Sequence, residues 1–220
     1  MKSIDLQFVV LADQVDSRSG VDRVPAALAA LAGLRCALPF ERTAGDELQG
    51  LVDDPAVVVE TIVRLTRLQE WRIGVGAGTV ETPLPTSTRA ARGGAYLAAR
   101  TAITRARRTP GALALVLDPA SASVVGDDRY GGAVGAAQDA ETALWLLCTV
   151  LERRSTEGWE LVDLLEEGLT NAEAAARLGV SASAVSQRLS RAVRPEGVRG
   201  AELCTRLLSR LQDVGTREPA

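Results

Sequence analysis

Histidine is absent from all 220 residues of the chain. That absence excludes imidazole metal ligation, imidazole general-base chemistry, and Ser-His or Cys-His nucleophile pairs. Cysteine is scarce: Cys36, Cys148 and Cys204 are odd in number and far apart, and the last two sit in apolar helical runs. Buried free thiols in a reducing compartment are therefore expected in preference to disulfides or a thiolate metal site. Lys2 is the only lysine, against plentiful arginine, alanine and glycine, a bias that reads as GC-rich coding and carries no mechanism. No apolar run reaches the length of a membrane span, and no basic leader with a cleavage site opens the chain. The expectation is a cytoplasmic protein without membrane contact. The formal net charge of −3 excludes general polyanion binding, so any nucleic-acid contact must be local.

What is present is most informative at Thr170 to Arg194, TNAEAAARLGVSASAVSQRLSRAVR. Thr170 and Glu173 have capping-box spacing, which predicts a helix start. Ala175 and Leu178 share a face, Gly179 suits the positive φ of a helix end, and Val180 can plug the corner that follows. Ser181 is placed to cap a second helix, with Val185 and Leu189 as its inward stripe. The small side chains of Ala174, Ala175 and Ala176 would allow two helices to cross closely. Together these features predict a helix-turn-helix. A plain helical hairpin would account for the Val and Leu stripe but not for the acid-free outer face. On that face Ser181, Ser183, Ser186, Gln187, Arg188, Arg191 and Arg194 are the candidate DNA-binding residues. Glutamine can read adenine, arginine can read guanine or grip phosphate, and serine can do either.

Upstream, Ile4–Asp13 reads as a buried strand, Val24–Leu34 as a helix, and Ala37–Gly45 with Glu47–Val52 as a hairpin. Ala56–Glu70 reads as a helix after Pro55, and Trp71–Val80 as a strand. A loop over Thr82–Thr88, a helix over Arg89–Arg108 and a strand over Ala112–Asp118 follow. This order predicts an α+β chain: a ferredoxin-like, palm-like βαββαβ domain over 1–130, then an all-α helix-turn-helix domain over 131–220. The glycine-rich stretch Gly126–Gly135 would mark the break, and Thr142–Arg153, with Trp145 inward, the connector.

Such a sheet sets the end of the first strand, with Asp13, beside the start of the third, with Asp46. Two carboxylates at adjacent strand ends are what a magnesium ion takes, the rest of its shell being water and nucleotide phosphate oxygens. The loop Gln14–Gly20 offers amides and Arg18 to those phosphates, and Asp16 could add charge. Alternatively Asp13 only ends a strand and Gly45-Asp46 only makes a turn. Glu47 reads as structural.

Four motifs in order, VVLADQVDSR, AGDELQGLVDD, RIGVGAGTVET and LTNAEAAARLGVSASAVSQRLSRA, resemble the SatD family over nearly the whole chain. The resemblance implies a cytoplasmic bacterial protein joining a palm-like domain to a DNA-binding helix-turn-helix. The N-terminal part is also similar, more distantly, to class III nucleotidyl cyclases and GGDEF-type palms. There the two metal-holding acids match Asp13 and Asp46. The wider likeness implies a nucleotide contact from Arg100, and it sets Tyr96 where cyclases usually carry asparagine. A tyrosine lacks the paired donor and acceptor of a carboxamide. Arg100 reads equally as a solvated helix arginine. The favoured function is a DNA-binding transcriptional regulator, a homodimer on double-stranded DNA, whose palm senses a nucleotide or pairs protomers. The alternatives are a metal-dependent cyclase-like enzyme and a purely structural palm.

Overall fold

The computed structural model describes residues 6–17, 20–123 and 132–216. Expectations for Ile4 and Asp5, for Arg18, and for most of the glycine-rich stretch after Gly126 fall outside them. The chain is a mixed α+β structure with a five-stranded sheet and a helical C-terminal region. The strands are β1 (Gln7–Gln14), β2 (Leu38–Arg42), β3 (Glu47–Val52), β4 (Trp71–Gly78) and β5 (Leu113–Leu117). The helices are α1 (Val24–Leu31), α2 (Pro55–Leu68), α3 (Gly94–Ala106), α4 (Pro119–Ser123), α5 (Ala133–Glu152), α6 (Thr156–Glu166), α7 (Asn171–Leu178), α8 (Ala182–Ala192) and α9 (Arg194–Thr216). The sheet order is β2-β3-β1-β4-β5; β1 lies antiparallel between β3 and β4, and β5 runs parallel to β4.

Alternation along β1 serves both faces. Phe8, Val10 and Ala12 join a core with α1, α2, α5 and α9, whereas Val9 and Leu11 pack with Ala95, Tyr96, Ala99 and Ile103 of α3. In β4 the alternation is sharper. Ile73, Val75 and Ala77 face the first core, and glycines fill the positions between them. A Cβ on Gly76 would lie 2.2 Å from both the Ala95 carbonyl oxygen and the Ala99 amide nitrogen, and one on Gly74 2.4 Å from the Ile103 amide nitrogen. These glycines admit the backbone of α3, whose alanine stripe completes the close approach.

Several boundaries differ from the sequence expectations. The helix expected from Arg89 begins at Gly94, because Gly93 takes φ 138° and Arg92 is still bonded to the segment after β4 through its carbonyl and the Glu81 amide, 2.9 Å. Helix α1 stops at Leu31, since Ala32 is extended and Gly33 has φ 81°. The connector is longer than Thr142–Arg153, running as α5 from Ala133, and Trp145 is half-buried with its indole N–H donating to the Leu113 carbonyl at 2.8 Å.

Helices α5 and α9 share the sheet's first core, with Leu144, Leu147, Cys148, Cys204, Leu208 and Leu211 buried there. All three cysteines are free; burial pushes the Cys148 thiol up to about 11 and the Cys204 thiol up to about 12. Helices α6, α7 and α8 close over a separate cluster of Leu161, Ala174, Ala175 and Val185. Among the described residues no helix is long and apolar enough to cross a membrane.

Candidate nucleic-acid interface and strand-end acidic site

Helix α7 begins as its sequence predicts. The Glu173 amide donates to the Thr170 hydroxyl at 3.3 Å, while the Thr170 amide donates back to the Glu173 carboxylate at 2.7 Å. The Thr170 amide and then its hydroxyl, both donating to that carboxylate, hold the Glu173 carboxyl below its ordinary range. Gly179 ends the helix at φ 64°, and the Gly179 and Val180 amides donate to the Ala176 and Ala175 carbonyls at 3.3 and 3.1 Å. The chain turns there and Val180 packs into the small cluster, so α8 crosses α7 over a short corner. Ala174 and Ala175 are buried in that crossing, but Ala176 is exposed and plays no part in it, a correction to the expected row of three. Alanine is compatible with either environment, which is why composition could not separate them.

Ser181 caps α8, accepting from the Ala184 amide at 3.2 Å, and its hydroxyl also meets that of Ser183 at 2.9 Å. Val185 and Leu189 turn inward. Ser183, Ser186, Gln187, Ser190 and Arg191 are exposed together on the outer side. Arg188 is half-buried and lies in the field of Glu157 on α6. Arg194 stands apart from this row. It is the first residue of α9, half-buried, and it lines a cleft between α2, α6 and α9.

Sequence reasoning missed Arg154, which bonds the last turn of α8. It is only 5% exposed, and its Nε donates to the Ala192 carbonyl at the end of α8. Its guanidinium lies 4.2 Å over the Trp159 ring, and that of Arg67 on α2 lies 5.1 Å over the same ring. Arg67 also donates to both oxygens of Asp163, at 2.7 and 2.6 Å, tying α2 to α6. Burial lowers the Arg154 pKa, with Arg67 and Arg194 adding to the effect. An N-terminal capping or turn signal leaves a spacing to search for; a deeply buried arginine leaves none.

At the far end of β1 the structure brings Asp13 and Asp46 together. Asp13 is paired across the sheet with Glu47 and with Arg72, and Arg72 donates to its carboxylate at 3.1 Å. The backbone sets Asp46 beside the end of β1, its carbonyl accepting from the Gln14 amide at 3.2 Å, and the two carboxyls act on each other's titration. Burial, and then the charge of Asp46, raise the Asp13 pKa, whereas the Ser17 hydroxyl first, with Asp13 and Arg72 in the same direction, holds Asp46 down. Among the described residues no group of three or more acids, cysteines or histidines is placed to hold a metal ion. Asp16, with φ 55°, is exposed on the turn after β1.

Arg100 does not join that pair. Its side chain is 63% exposed and its nearest acid is Glu47 at 3.8 Å, which also accepts from the Thr43 hydroxyl at 2.6 Å. Tyr96 is committed to an internal network: its hydroxyl meets that of Thr88 at 3.3 Å, and Thr88 in turn accepts from the buried Gln49 amide at 3.1 Å. Thr88, fully buried, pins the loop after β4 over this face of the sheet. The polar Gln49 within an apolar strand was the only hint of that network.

Residues 164–194 match the family described as Sigma-70, region 4, a helix-turn-helix DNA-binding domain. The match spans the end of α6, all of α7 and α8, and the first residue of α9. No curated protein and no solved structure matches the chain. The C-terminal segment is thus a helix-turn-helix of DNA-binding, regulatory type.

Proposed function

We propose that the protein is a DNA-binding transcriptional regulator in which α8 enters the major groove. The observation that carries this reading is the exposed, acid-free row of Ser183, Ser186, Gln187 and Arg191 on a helix capped and crossed in helix-turn-helix geometry. Gln187 is assigned to an adenine edge and Arg191 to guanine or phosphate, with Ser181, Ser183, Ser186 and Arg188 on flanking sugar-phosphate. Arg194 reaches only the margin of that surface. A single module of this size buries limited DNA surface, so the chain acts as a homodimer on half-sites about one helical turn apart. The sheet domain is then the SatD-like palm that pairs protomers or senses a nucleotide. Selection of genomic fragments by the purified chain, followed by anisotropy titrations at several salt concentrations, tests the reading. Retention of fragments without sequence preference would overturn it.

The placement of Asp13 and Asp46 at adjacent strand ends favours a second role for the same molecule, a nucleotide site in the ferredoxin-like palm. Two carboxylates suffice for a magnesium ion that keeps most of its waters and takes its other oxygens from nucleotide phosphates. Arg100 and Arg18 would then face phosphate. The engagement of Tyr96 by Thr88 and the neutralisation of Asp13 by Arg72 favour ligand sensing over cyclase turnover. Incubation with each nucleoside triphosphate and magnesium separates the two roles: cyclic or linear product that vanishes in Asp46→Ala makes the palm an enzyme.

A further inference from the structure

Between α2, α6 and α9 lies a cleft of about 940 Å³, large enough for a small organic molecule. Its apolar lining comes from Val59 and Val63 of α2, Trp159 and Val162 of α6, and Ala201 of α9. Four of its charged residues neutralise one another in pairs, Arg67 with Asp163 and Arg64 with Glu60. Arg154 and Arg194 line the same cleft, and among the described residues neither makes an ion pair within 4.0 Å. Glu166, also in the lining, acts on Arg154 only through its field. The Nε of Arg194 is buried with no hydrogen-bond partner.

An unpaired buried donor on a cation is costly unless something accepts from it. Burial lowers the Arg154 pKa, and the nearby Arg194 charge adds to that effect. An anion would relieve both terms, and the apolar walls would take the body that carries it.

We propose that this cleft binds a small organic acid: an apolar body lying against Val63, Trp159 and Ala201, with its carboxylate accepting from Arg194 and facing Arg154. The proposal is independent of the DNA-binding reading, because it is tested with no DNA present.

The probe is 8-anilinonaphthalene-1-sulfonate, which joins an apolar body to one anionic group, titrated into the full-length chain by fluorescence. One saturable site is expected. Arg194→Gln, which stays polar but loses the guanidinium and its charge, weakens it about tenfold or more, the scale of a lost charge-assisted hydrogen bond. Val63→Trp, which fills the cleft, weakens it without removing any charge, and Arg194→Lys restores part of the affinity. Leu97→Gln, an exposed apolar position on α3 across the sheet, leaves binding unchanged. Decanoate displaces the probe and decanol of the same chain length does so at least tenfold less well. Melting curves confirm that each variant is folded, and a variant that is not is replaced by the decanoate and decanol comparison on the native chain. The proposal is overturned by absence of saturable binding, by equal affinity in Arg194→Gln and the native protein, or by equal displacement by decanoate and decanol.

Discussion

Arg154 donates from Nε to the Ala192 carbonyl at 3.0 Å, so a side chain from the link between α5 and α6 closes the last turn of α8, the helix with the exposed acid-free row. A cation at that end also opposes the partial negative charge of the helix terminus. The same guanidinium packs on Trp159, and Gly158 and Gly197 leave room for it: a Cβ on Gly197 would sit 2.7 Å from its Nη2. One buried group thus ties the end of α8 to α6, which Arg67 and Asp163 tie in turn to α2.

Arg154→Met should keep the volume while leaving the Ala192 carbonyl without its donor. We expect a loss of about 1–3 kcal/mol in urea unfolding, the scale of a buried acceptor left unpaired. DNA affinity should fall as well, though Arg154 touches no surface available to a duplex. A variant as stable as the parent, with unchanged DNA binding, would show that α8 is held by packing alone.

On α8 itself, substitutions should separate by role. Gln187→Ala should cost about 1–3 kcal/mol at one base position and little at unrelated sequences. Arg191→Ala should either do the same or weaken all sequences together and flatten the salt dependence. Both side chains are exposed, so melting temperatures should stay within a degree or two of the parent. Anisotropy on a panel of single-base variants distinguishes these outcomes, and an unchanged affinity for both variants would remove α8 from the interface.

The capping box at the start of α7 makes a stability prediction with a pH signature. Thr170→Ala should destabilise α7 by about 1 kcal/mol, read as faster amide exchange along that helix. The Glu173 carboxyl is held down by the Thr170 amide and hydroxyl. A depressed carboxyl contributes stability present above its unfolded pKa and lost as pH falls through the folded value. The protection factors of the α7 amides, observed exchange corrected for the intrinsic rate at each pH, should therefore fall on acidification in the native chain and not in Glu173→Ala.

Much of this was legible because short-range rules leave short-range spacings. Thr170 and Glu173, Gly179, and Pro55 each mark a helix end by themselves, and the convergence of Asp13 with Asp46 follows once the strands are ordered. The partners of long amphipathic helices were not legible. An apolar face on α5 or α9 states that something covers it, and only the assembled core shows that the cover is α2 and the sheet. The glycines of WRIGVGAG read locally as permissive strand residues, yet their alternation records a helix backbone on one face. Arg194 counted in sequence as one more DNA-facing arginine because the positive-φ turn at Val193, φ 42°, which redirects the chain there, has no glycine to announce it.

The strand-end acids predict a second pH dependence of opposite sign. Asp13 has its pKa raised by burial and by Asp46. A raised carboxyl contributes stability that is full below its unfolded pKa and lost as pH rises through the folded value. Asp13→Asn, which can still donate to Asp46, should raise the melting temperature at neutral pH, and the gain should shrink as pH drops below about 4, the ordinary aspartate range. A lower melting temperature at neutral pH would mean that the ion pair with Arg72 outweighs the burial of charge. Added magnesium with a nucleoside triphosphate should raise the melting temperature of the native chain but not of Asp13→Asn, if the pair holds a metal.

Gly76→Ala tests how α3 reaches the sheet. Its new methyl would fall 2.2 Å from the Ala95 carbonyl oxygen and the Ala99 amide nitrogen, both backbone atoms of α3, so no side-chain rotation can relieve the contact. The helix must lift, opening the layer that holds Val9, Leu11 and Ile103. Overpacking of this kind costs at least about 1–3 kcal/mol. Gly135→Ala, whose added Cβ meets nothing within 4 Å, is the matched control and should be neutral or stabilising, since it lies within α5. Equal melting temperatures for the two variants would mean that α3 can rise from β4 without loss, and the glycine alternation would then have no packing role.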